Sequence, residues 1–410
     1  MWRGQGSAIG AAIVLAATTA AAAPGRWVGT WGAAPQPPSK AAHLPPTQSF
    51  KDVTLIQVLR VSAGGDQVRV RFTNEYGSRP LVIGAAQIVL DDRSGRYGRQ
   101  GFRTLTFGRA RTAVVPAGAP MLSDPVSMTV PALSKLLIRL YLPQDTGPCT
   151  CHSTSIATGA ILAHDNLAGA PAALRMRAFI SGVEVHAPGP ASAIVVLGDS
   201  IADGVGSTHG ANRRWTDVLA ERLNARDGGR RMWGVVNEAI AGNRLNADGA
   251  GQSALARLDR DVLSVPGAAY LIVSEGVNDL GMAHFTGGGG LGARIAAMPK
   301  GVAGAQDLIA AYRRLIVRGH AHGLKVIGAT ITPYQGAAYW SAEGEADRRT
   351  INQWIRTSGA FDGVLDFDRA WRDPANPSRI KAGLHAGDHL HGDDAGYQTL
   401  ADSIALGLFQ

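Results

Sequence analysis

The chain has 410 residues, 45% of them hydrophobic and 18% charged, a composition that fits a globular protein and argues against a fibrous or disordered one. This length exceeds what one hydrophobic core usually supports, so about two domains are expected. The formal net charge is +8, but the basic residues are scattered and form no nucleic-acid-binding motif, so we expect no nucleic-acid partner.

The first 23 residues have the features of a signal peptide. Arg3 precedes an apolar run from Ala8 to Ala23, which ends in small residues that resemble a cleavage site. The run is too short to span a bilayer comfortably, and no later segment is a candidate for membrane insertion. We therefore expect an exported chain, secreted or periplasmic, without stable membrane insertion. A buried N-terminal helix is the alternative.

Residues 24–187 are predicted to form a β-sandwich accessory domain. In the segment VRVRF (68–72) apolar and basic residues alternate with a period of two, and similar short segments follow, separated by Gly, Pro and Asp. This pattern predicts an antiparallel, jelly-roll-like sandwich. The prolines and glycine of residues 186–192 favour a domain boundary there.

Only two cysteines occur, Cys149 and Cys151. In an oxidising compartment they could close a small ring through a disulfide, or both could remain thiols. With the neighbouring His152 a metal site is conceivable, but so short a set of ligands is weak support for one.

The pattern changes in residues 191–410, the predicted second domain. The apolar runs AIVVLG, GVVNEA, AYLIVSEG, LKVIGATI and GVLDF alternate with helical stretches, among them 215–224 and 308–322. Continuous apolar strands separated by helices predict a parallel sheet that is covered on both faces. In such sheets functional groups collect at the carboxyl ends of the strands.

Four short blocks lie at strand-to-loop junctions or before the last helix of this domain. They are GDS (198–200), AGNR (241–244), GVND (276–279) and DHLH (388–391). A serine hydroxyl becomes a good nucleophile when a histidine takes its proton, and this predicts Ser200 as nucleophile and His391 as base. Asp388, three residues before His391, would orient the imidazole if the two lie in a helical turn.

Attack on an ester carbonyl creates an oxyanion that needs hydrogen-bond donors. The backbone N–H groups of Ser200 and Gly242 and the side-chain amide of Asn278 are the candidates. Asp199 and Asp203 are expected to brace the turn around the nucleophile.

The second domain resembles the SGNH, or GDSL-type, family of serine esterases and lipases. The stretches GDSIADG, AGNR, GVND and GDHLHGDDAGY carry this resemblance, which covers nearly all of residues 191–410. It implies a three-layer, flavodoxin-like α/β fold, with Ser200, Asp388 and His391 as catalytic residues and Ser200, Gly242 and Asn278 in the oxyanion hole. Gly392 departs from the family, which usually has proline there.

The whole chain further resembles secreted bacterial members of this family that carry an N-terminal β-sandwich, through stretches such as WVGTWGAAPQPP and FTNEYGSRPL. We expect cleavage of carboxylic esters through an acyl-enzyme, without metal or organic cofactor, on a small ester or an acylated carbohydrate. One alternative is a polysaccharide deacetylase of the acetyl-xylan or pectin type. Another is a non-catalytic carbohydrate-binding protein whose N-terminal domain binds glycan.

Three features have more than one interpretation. Ser200 could serve simply as the N-cap of the helix that follows it. His385, Asp388, His389 and His391 could be metal ligands, but the Asp388–His391 spacing already has a use. The segment TGGGGLGARIAAMPKGVAG (286–304) matches a nucleotide-binding pattern in the wrong structural context, and we expect a mobile loop there that shapes substrate access.

Overall fold

The computed structural model of the chain describes residues 1–2, 25–38, 48–91, 101–153, 158–163, 171–226, 230–285, 287–296, 298–299, 301 and 304–410. Except for its first two residues, the predicted signal peptide lies outside these ranges. Among the helices of the described part, none is long and apolar enough to cross a membrane.

The N-terminal part of the chain consists of short antiparallel strands. In chain order they are β1 (Arg26–Gly32), β2 (Val53–Arg60), β3 (Gly65–Thr73), β4 (Leu81–Ile83), β5 (Ala85–Leu90), β6 (Arg103–Thr104), β7 (Ala113–Val115), β8 (Pro120–Leu122), β9 (Val126–Val130), β10 (Lys135–Leu142), β11 (Cys151–Ser153), β12 (Thr158–Ala163), β13 (Ala172–Ala173), β14 (Met176–Ala178) and β15 (Ile180–Ala187). One sheet has the order β1-β15-β3-β8, with β9 also paired to β3. A second has the order β13-β12-β2-β10-β5-β6, and the pairs β4–β7 and β11–β14 complete the set.

The alternating residues of these strands form the apolar core between the sheets. Val68 and Val70 of β3 are fully buried and share one hydrophobic cluster with Ile138 and Leu140 of β10. Leu137, which precedes Ile138 on β10, belongs to a separate, smaller cluster, as expected where successive side chains point to opposite faces. The predicted antiparallel architecture is therefore confirmed.

The C-terminal part contains a five-stranded parallel sheet and most of the helices. Its elements are β16 (Ala191–Gly198), α1 (Ser200–Asp203), α2 (Trp215–Ala225), β17 (Met232–Asn237), α3 (Ala254–Leu258), β18 (Ala268–Ser274), α4 (Val277–Ala283), α5 (Gly289–Ala296), α6 (Ala305–Ala321), β19 (Lys325–Ala329), α7 (Ala342–Thr357), β20 (Gly363–Leu365), α8 (Phe367–Trp371) and α9 (Asp394–Ser403), with a π-helical turn at Asp259–Leu263 and a 3₁₀ turn at Leu406–Leu408. The strand order is β17-β16-β18-β19-β20.

This order reverses direction at β16, and right-handed crossovers then place helices on both faces of the sheet. The predicted α/β fold is confirmed. Ligands of such sheets bind at the carboxyl ends of the strands beside the reversal point, which here is the end of β16.

Part of the segment 286–304 differs from the prediction, because residues Gly289–Ala296 form helix α5 instead of a loop. The glycines at its start gave the impression of a flexible segment. Alanine and arginine in its second half favour helix, and a glycine costs least near a helix end.

The two parts of the chain are packed closely against each other. β15 ends at Ala187 and β16 begins at Ala191, so the change from antiparallel to parallel strands falls between them. A single hydrophobic cluster contains buried residues from both parts, and the backbone N–H of Gly29 donates to the carbonyl of Pro266 at 2.9 Å.

Candidate active site

The turn after β16 displays Ser200 at the start of α1. Asp199 is the N-cap, and its Oδ1 accepts a hydrogen bond from the backbone N–H of Ile201 at 2.9 Å. The cap that was considered for Ser200 is thus supplied by Asp199, which braces the turn as expected. This leaves the Ser200 hydroxyl available for other contacts, although the residue is only 4% exposed.

His391 connects Ser200 to Asp388. Its Nε2 lies 2.8 Å from Ser200 Oγ, and its Nδ1 lies 2.5 Å from Asp388 Oδ2. Because the carboxylate can only accept, Nδ1 carries the proton, and the Ser200 hydroxyl then donates to the free lone pair of Nε2. The structure brings together three residues, the first and last of which are 191 positions apart in the chain.

The segment from Asp388 to His391 is an irregular bend, so the helical turn that we predicted for it is wrong. Asp388 Oδ1 accepts from the backbone N–H groups of Leu390 at 3.0 Å and His391 at 2.9 Å. These two bonds turn the chain back and leave Oδ2 to face the imidazole, so a local side-chain-to-backbone turn achieves what a helix would have done.

The pKa of Asp388 is held below its usual range. Partial burial opposes its charge, but the hydrogen bonds and charge of His391 and the amide of Leu390 outweigh that effect. Asp388 therefore stays ionised at neutral pH.

Asn278 is the second residue of α4, which follows β18, and Gly242 lies on the loop that follows β17. Gly242 has φ +80°, a conformation that favours glycine. The backbone N–H of Ser200 belongs to the first helical residue and has no partner within α1. The three predicted oxyanion donors are thus a helix-terminal amide, a loop amide and a side-chain amide.

The Asn278 amide is held from both sides. Its Nδ2 donates to the carbonyl of Asn243 at 2.9 Å, and its Oδ1 accepts from the hydroxyl of Tyr339 at 3.2 Å. An amide nitrogen has two hydrogens, so one donor of Asn278 remains for a ligand. No motif in the sequence indicated this contribution of Tyr339.

The loop after β17 is fixed by two further buried side chains. Asp279 accepts from the backbone N–H groups of Leu245 at 2.8 Å and Asn246 at 3.3 Å. Asn243 donates from Nδ2 to the carbonyl of Gln252 at 2.8 Å. Asn243 and Asp279 therefore shape the loop that carries Gly242.

Arg257 is a structural residue of the site that no sequence motif indicated. It is fully buried, and its guanidinium donates to the carbonyl of Gly198 at 3.2 Å and to Asn243 Oδ1 at 2.8 Å. It also contacts the carbonyl of Glu238 and, at 3.1 Å, Asp261. One cation thus joins the ends of β16 and β17. The only sequence signal was an arginine in a helix with an apolar face.

Burial raises the pKa of two carboxyl groups next to the site. The pKa of Asp199 is raised to about 7 because burial outweighs the hydrogen bond from Ile201 and the charge of His391. The pKa of Asp279 is raised to about 6, although the amides of Leu245 and Asn246 favour its charged form. In the unfolded chain an aspartate titrates near 3.9.

The raised pKa of Asp199 predicts a loss of stability as pH rises. Between the unfolded pKa and about 7, the folded chain holds a proton that the unfolded chain has released, so stability falls over that range. Asp199→Asn keeps the helix cap and removes this titration. We expect Tm to fall less for this variant than for the wild type between pH 5 and pH 8, measured by thermal unfolding. Equal changes in Tm would contradict the prediction.

The structure also shows where the two cysteines and the other candidate histidines lie. Cys149 and Cys151 form a disulfide. The rings of His385 and His389 contact each other, with centroids 4.4 Å apart, and do not reach Ser200 in the contacts described. Across the described residues, no three or more His, Cys, Asp and Glu side chains are grouped to hold a metal ion.

Gly392 packs against a tryptophan, at a position where the family that this domain resembles usually has proline. A Cβ atom at this position would lie 2.8 Å from Cζ2 of Trp371, which is fully buried and donates from its indole to the carbonyl of Gly396 at 2.8 Å. The large neighbour therefore accounts for the glycine.

A comparison with family models finds one match. Residues 196–399 match the GDSL-like Lipase/Acylhydrolase family. This range contains the four blocks GDS, AGNR, GVND and DHLH. A search of curated proteins found no match.

The chain is also similar to solved structures over about half its length. LAE5, an α/β hydrolase enzyme from the metagenome of Lake Arreo, Spain, is 20% identical, with a TM-score of 0.39 and coverage of 53% of this chain and 94% of that one. The acetyl xylan esterase AlAXEase is 19% identical, with a TM-score of 0.38 and coverage of 52% and 96%. The psychrotrophic esterase EstA from Pseudoalteromonas sp. is 18% identical, with a TM-score of 0.35 and coverage of 52% and 93%.

Proposed function

We propose that this chain, whose residues 196–399 belong to the GDSL-like lipase/acylhydrolase family, is a serine hydrolase that cleaves carboxylic esters through an acyl-enzyme. The observation that carries the proposal is the position of the His391 ring. Its two nitrogens lie 2.8 Å from Ser200 Oγ and 2.5 Å from Asp388 Oδ2. This is the arrangement that general-base activation of a serine requires.

In the first half of the reaction, Ser200 Oγ attacks the ester carbonyl carbon while His391 Nε2 takes the hydroxyl proton. The carbonyl oxygen becomes an oxyanion that accepts hydrogen bonds from the amide donors of Ser200, Gly242 and Asn278. The carbonyl then reforms, the bond to the alcohol oxygen breaks, and His391 gives its proton to the departing alcohol. The acyl group remains on Ser200 Oγ.

In the second half, His391 takes a proton from a water molecule, which attacks the acyl carbon. The tetrahedral intermediate uses the same oxyanion donors, and its collapse breaks the bond to Ser200 Oγ. His391 returns the proton to Ser200, and the carboxylic acid leaves. Asp388 stabilises the imidazolium in both halves without taking a proton itself.

Labelling with a fluorophosphonate tests the proposal directly, because this reagent forms a covalent bond with an activated serine. Mass spectrometry of the labelled wild-type chain should place the adduct on the peptide that contains Ser200. A wild-type protein that is not labelled, or is labelled elsewhere, would refute the proposal. A panel of nitrophenyl esters of increasing acyl length and acetylated xylan would then define the substrate.

The oxyanion role of Asn278 predicts a defect in turnover. Asn278→Ala removes one of three donors, so kcat should fall about 10²–10³-fold while KM changes little. Steady-state kinetics on a nitrophenyl ester measures both. Asn376→Ala is a matched control, because its amide contacts Gln335 and takes no part in the proposed reaction. A kcat of Asn278→Ala within threefold of wild type would exclude the role.

We further propose that the chain is exported after removal of residues 1–23. The apolar run from Ala8 to Ala23 supports this, as does the disulfide between Cys149 and Cys151, a bond typical of oxidising compartments. Sequencing the N-terminus of the exported chain tests the proposal, and an intact Met1 would contradict it.

A further inference from the structure

The helix that carries Ser200 is too short to fix its own position. α1 has four residues, Ser200–Asp203, whereas isolated helices need several turns before they are stable. Its orientation must therefore come from contacts with its surroundings. Within its own domain, Asp199 caps its start, and Asn237 Nδ2 donates to the carbonyl of Ala202 at 2.7 Å.

The last residue of this helix contacts the N-terminal sandwich. Asp203 Oδ1 lies 3.3 Å from Nε2 of His152, which is on strand β11. Both side chains are buried, with 4% and 5% of their surface exposed. The contact therefore joins the sandwich to the nucleophile helix away from solvent, where a hydrogen bond between polar groups is strongest.

The other ring nitrogen of His152 fixes the ring in place. Nδ1 lies 2.9 Å from the carbonyl of Ala34, and because a carbonyl only accepts, Nδ1 carries a proton. A hydrogen bond to the Asp203 carboxyl then needs a second proton, either on Nε2 or on Asp203. Arg177 and Arg214 line the same polar pocket as Asp203, and each interacts electrostatically with its carboxyl.

The sandwich also holds the loop that carries Gly242. Gln36 Nε2 donates to the carbonyl of Ala250 at 2.7 Å, while its backbone N–H donates to the carbonyl of Cys151 at 2.9 Å. The hydroxyl of Tyr76 donates to Gln252 Oε1 at 2.8 Å. Strand β11 is thus connected to the nucleophile helix directly and to the oxyanion loop through Gln36.

We propose that the N-terminal sandwich is part of the catalytic unit, and that His152 is a positioning residue that sets the orientation of the Ser200 helix through Asp203. The inference rests on the proposed function, since it assigns a role in the reaction of Ser200. It gives the sandwich a role that does not require it to bind glycan. A misplacement of about 1 Å at reacting atoms can cost about 10²-fold in rate.

The test compares His152→Asn with His186→Ala. Asparagine can still donate to the carbonyl of Ala34 but is too short to reach Asp203. His186 is the matched control, because it forms a His–Asp pair with Asp66 at 2.8 Å in the same sandwich. We expect His152→Asn to lower kcat and the rate of fluorophosphonate labelling of Ser200 about 10–10²-fold, with KM changed less than threefold. His186→Ala should keep both rates.

A double-mutant cycle with Asp203→Ala shows whether the effect passes through the contact. If it does, His152→Asn should have little further effect in a chain that already carries Asp203→Ala. The proposal would be overturned if the fold-reductions in rate caused by the two substitutions multiplied in the double variant. A labelling rate of folded His152→Asn within twofold of wild type would overturn it as well. If His152→Asn does not fold, the labelling rate of Asp203→Ala is measured instead. A rate within twofold of wild type would then overturn the proposal.

The outcome is distinguishable from failure of the proposed function. A wild-type chain that the fluorophosphonate does not label refutes the proposed function. A wild-type chain that is labelled on Ser200, together with a His152→Asn chain labelled at the same rate, refutes only the role of His152. A purely structural role would lower Tm and leave the labelling rate of the folded variant unchanged.

Discussion

Ser200→Ala is expected to lower kcat about 10⁶-fold, the size of effect seen when a serine hydrolase loses its nucleophile. The variant should also lose the burst of leaving group with nitrophenyl esters and all fluorophosphonate labelling. The fold should survive, because the Ser200 hydroxyl makes its contact with His391, and the cap of α1 is supplied by Asp199. Thermal unfolding would check that Tm stays close to the wild-type value.

Ser207→Ala is the matched control for this change. Ser207 is a buried serine seven residues further along, whose hydroxyl donates to the carbonyl of Gly204 at 2.6 Å. The same substitution at this site should keep kcat within a few-fold of wild type. A Ser200→Ala chain that retained a measurable burst would show that another group is the nucleophile.

His391→Ala should lower kcat as much as Ser200→Ala does, because the two residues act as one unit. Without the base, Ser200 keeps its proton, and without the hydroxyl the base has nothing to activate. Combining the two substitutions should therefore cost little more than either one.

The strand-to-turn geometry at Ser200 could be predicted from local pattern alone. Four apolar residues in a row mark a buried strand, and the acid that follows β16 is a common helix cap. The contact between Ser200 and His391 could be predicted only from the order of the four blocks along a parallel sheet. No local pattern relates residues so distant in the chain.

Arg257 and the His152–Asp203 contact could not be predicted in the same way. Each contact depends on how elements from different parts of the chain pack. A single arginine or histidine forms no repeating pattern in the sequence, so its partner cannot be inferred from it. Arg257 did carry a weak signal, since a charged residue in a helix with an apolar face is buried only when it is paired.

The bend at Asp388 shows how one spacing fits two structures. An aspartate three residues before a histidine suits a helical turn, but it equally suits a turn in which the carboxylate accepts from the backbone. Gly387 and Gly392, which flank this segment, are the signal that favoured the second, because glycine is unfavourable within a helix.

Asp388→Asn is expected to lower kcat about 10⁴-fold, because it should reverse the tautomer of His391. The carboxylate accepts from the backbone of Leu390 and His391 through Oδ1, and the oxygen of asparagine can keep both bonds. Its NH₂ group is then forced toward Nδ1 of His391, where it donates instead of accepting. Nδ1 must give up its proton, so Nε2 carries one and can no longer take the proton of Ser200.

The control for this prediction is Asp393→Asn in the same segment. Asp393 caps α9 by accepting from the backbone N–H of Gly396 at 2.8 Å, a role that asparagine also fills. Steady-state kinetics and the fluorophosphonate labelling rate should both fall for Asp388→Asn and stay near wild type for Asp393→Asn. If kcat of Asp388→Asn stayed within tenfold of wild type, His391 would not depend on Asp388 for its tautomer, and a different group would have to orient the imidazole.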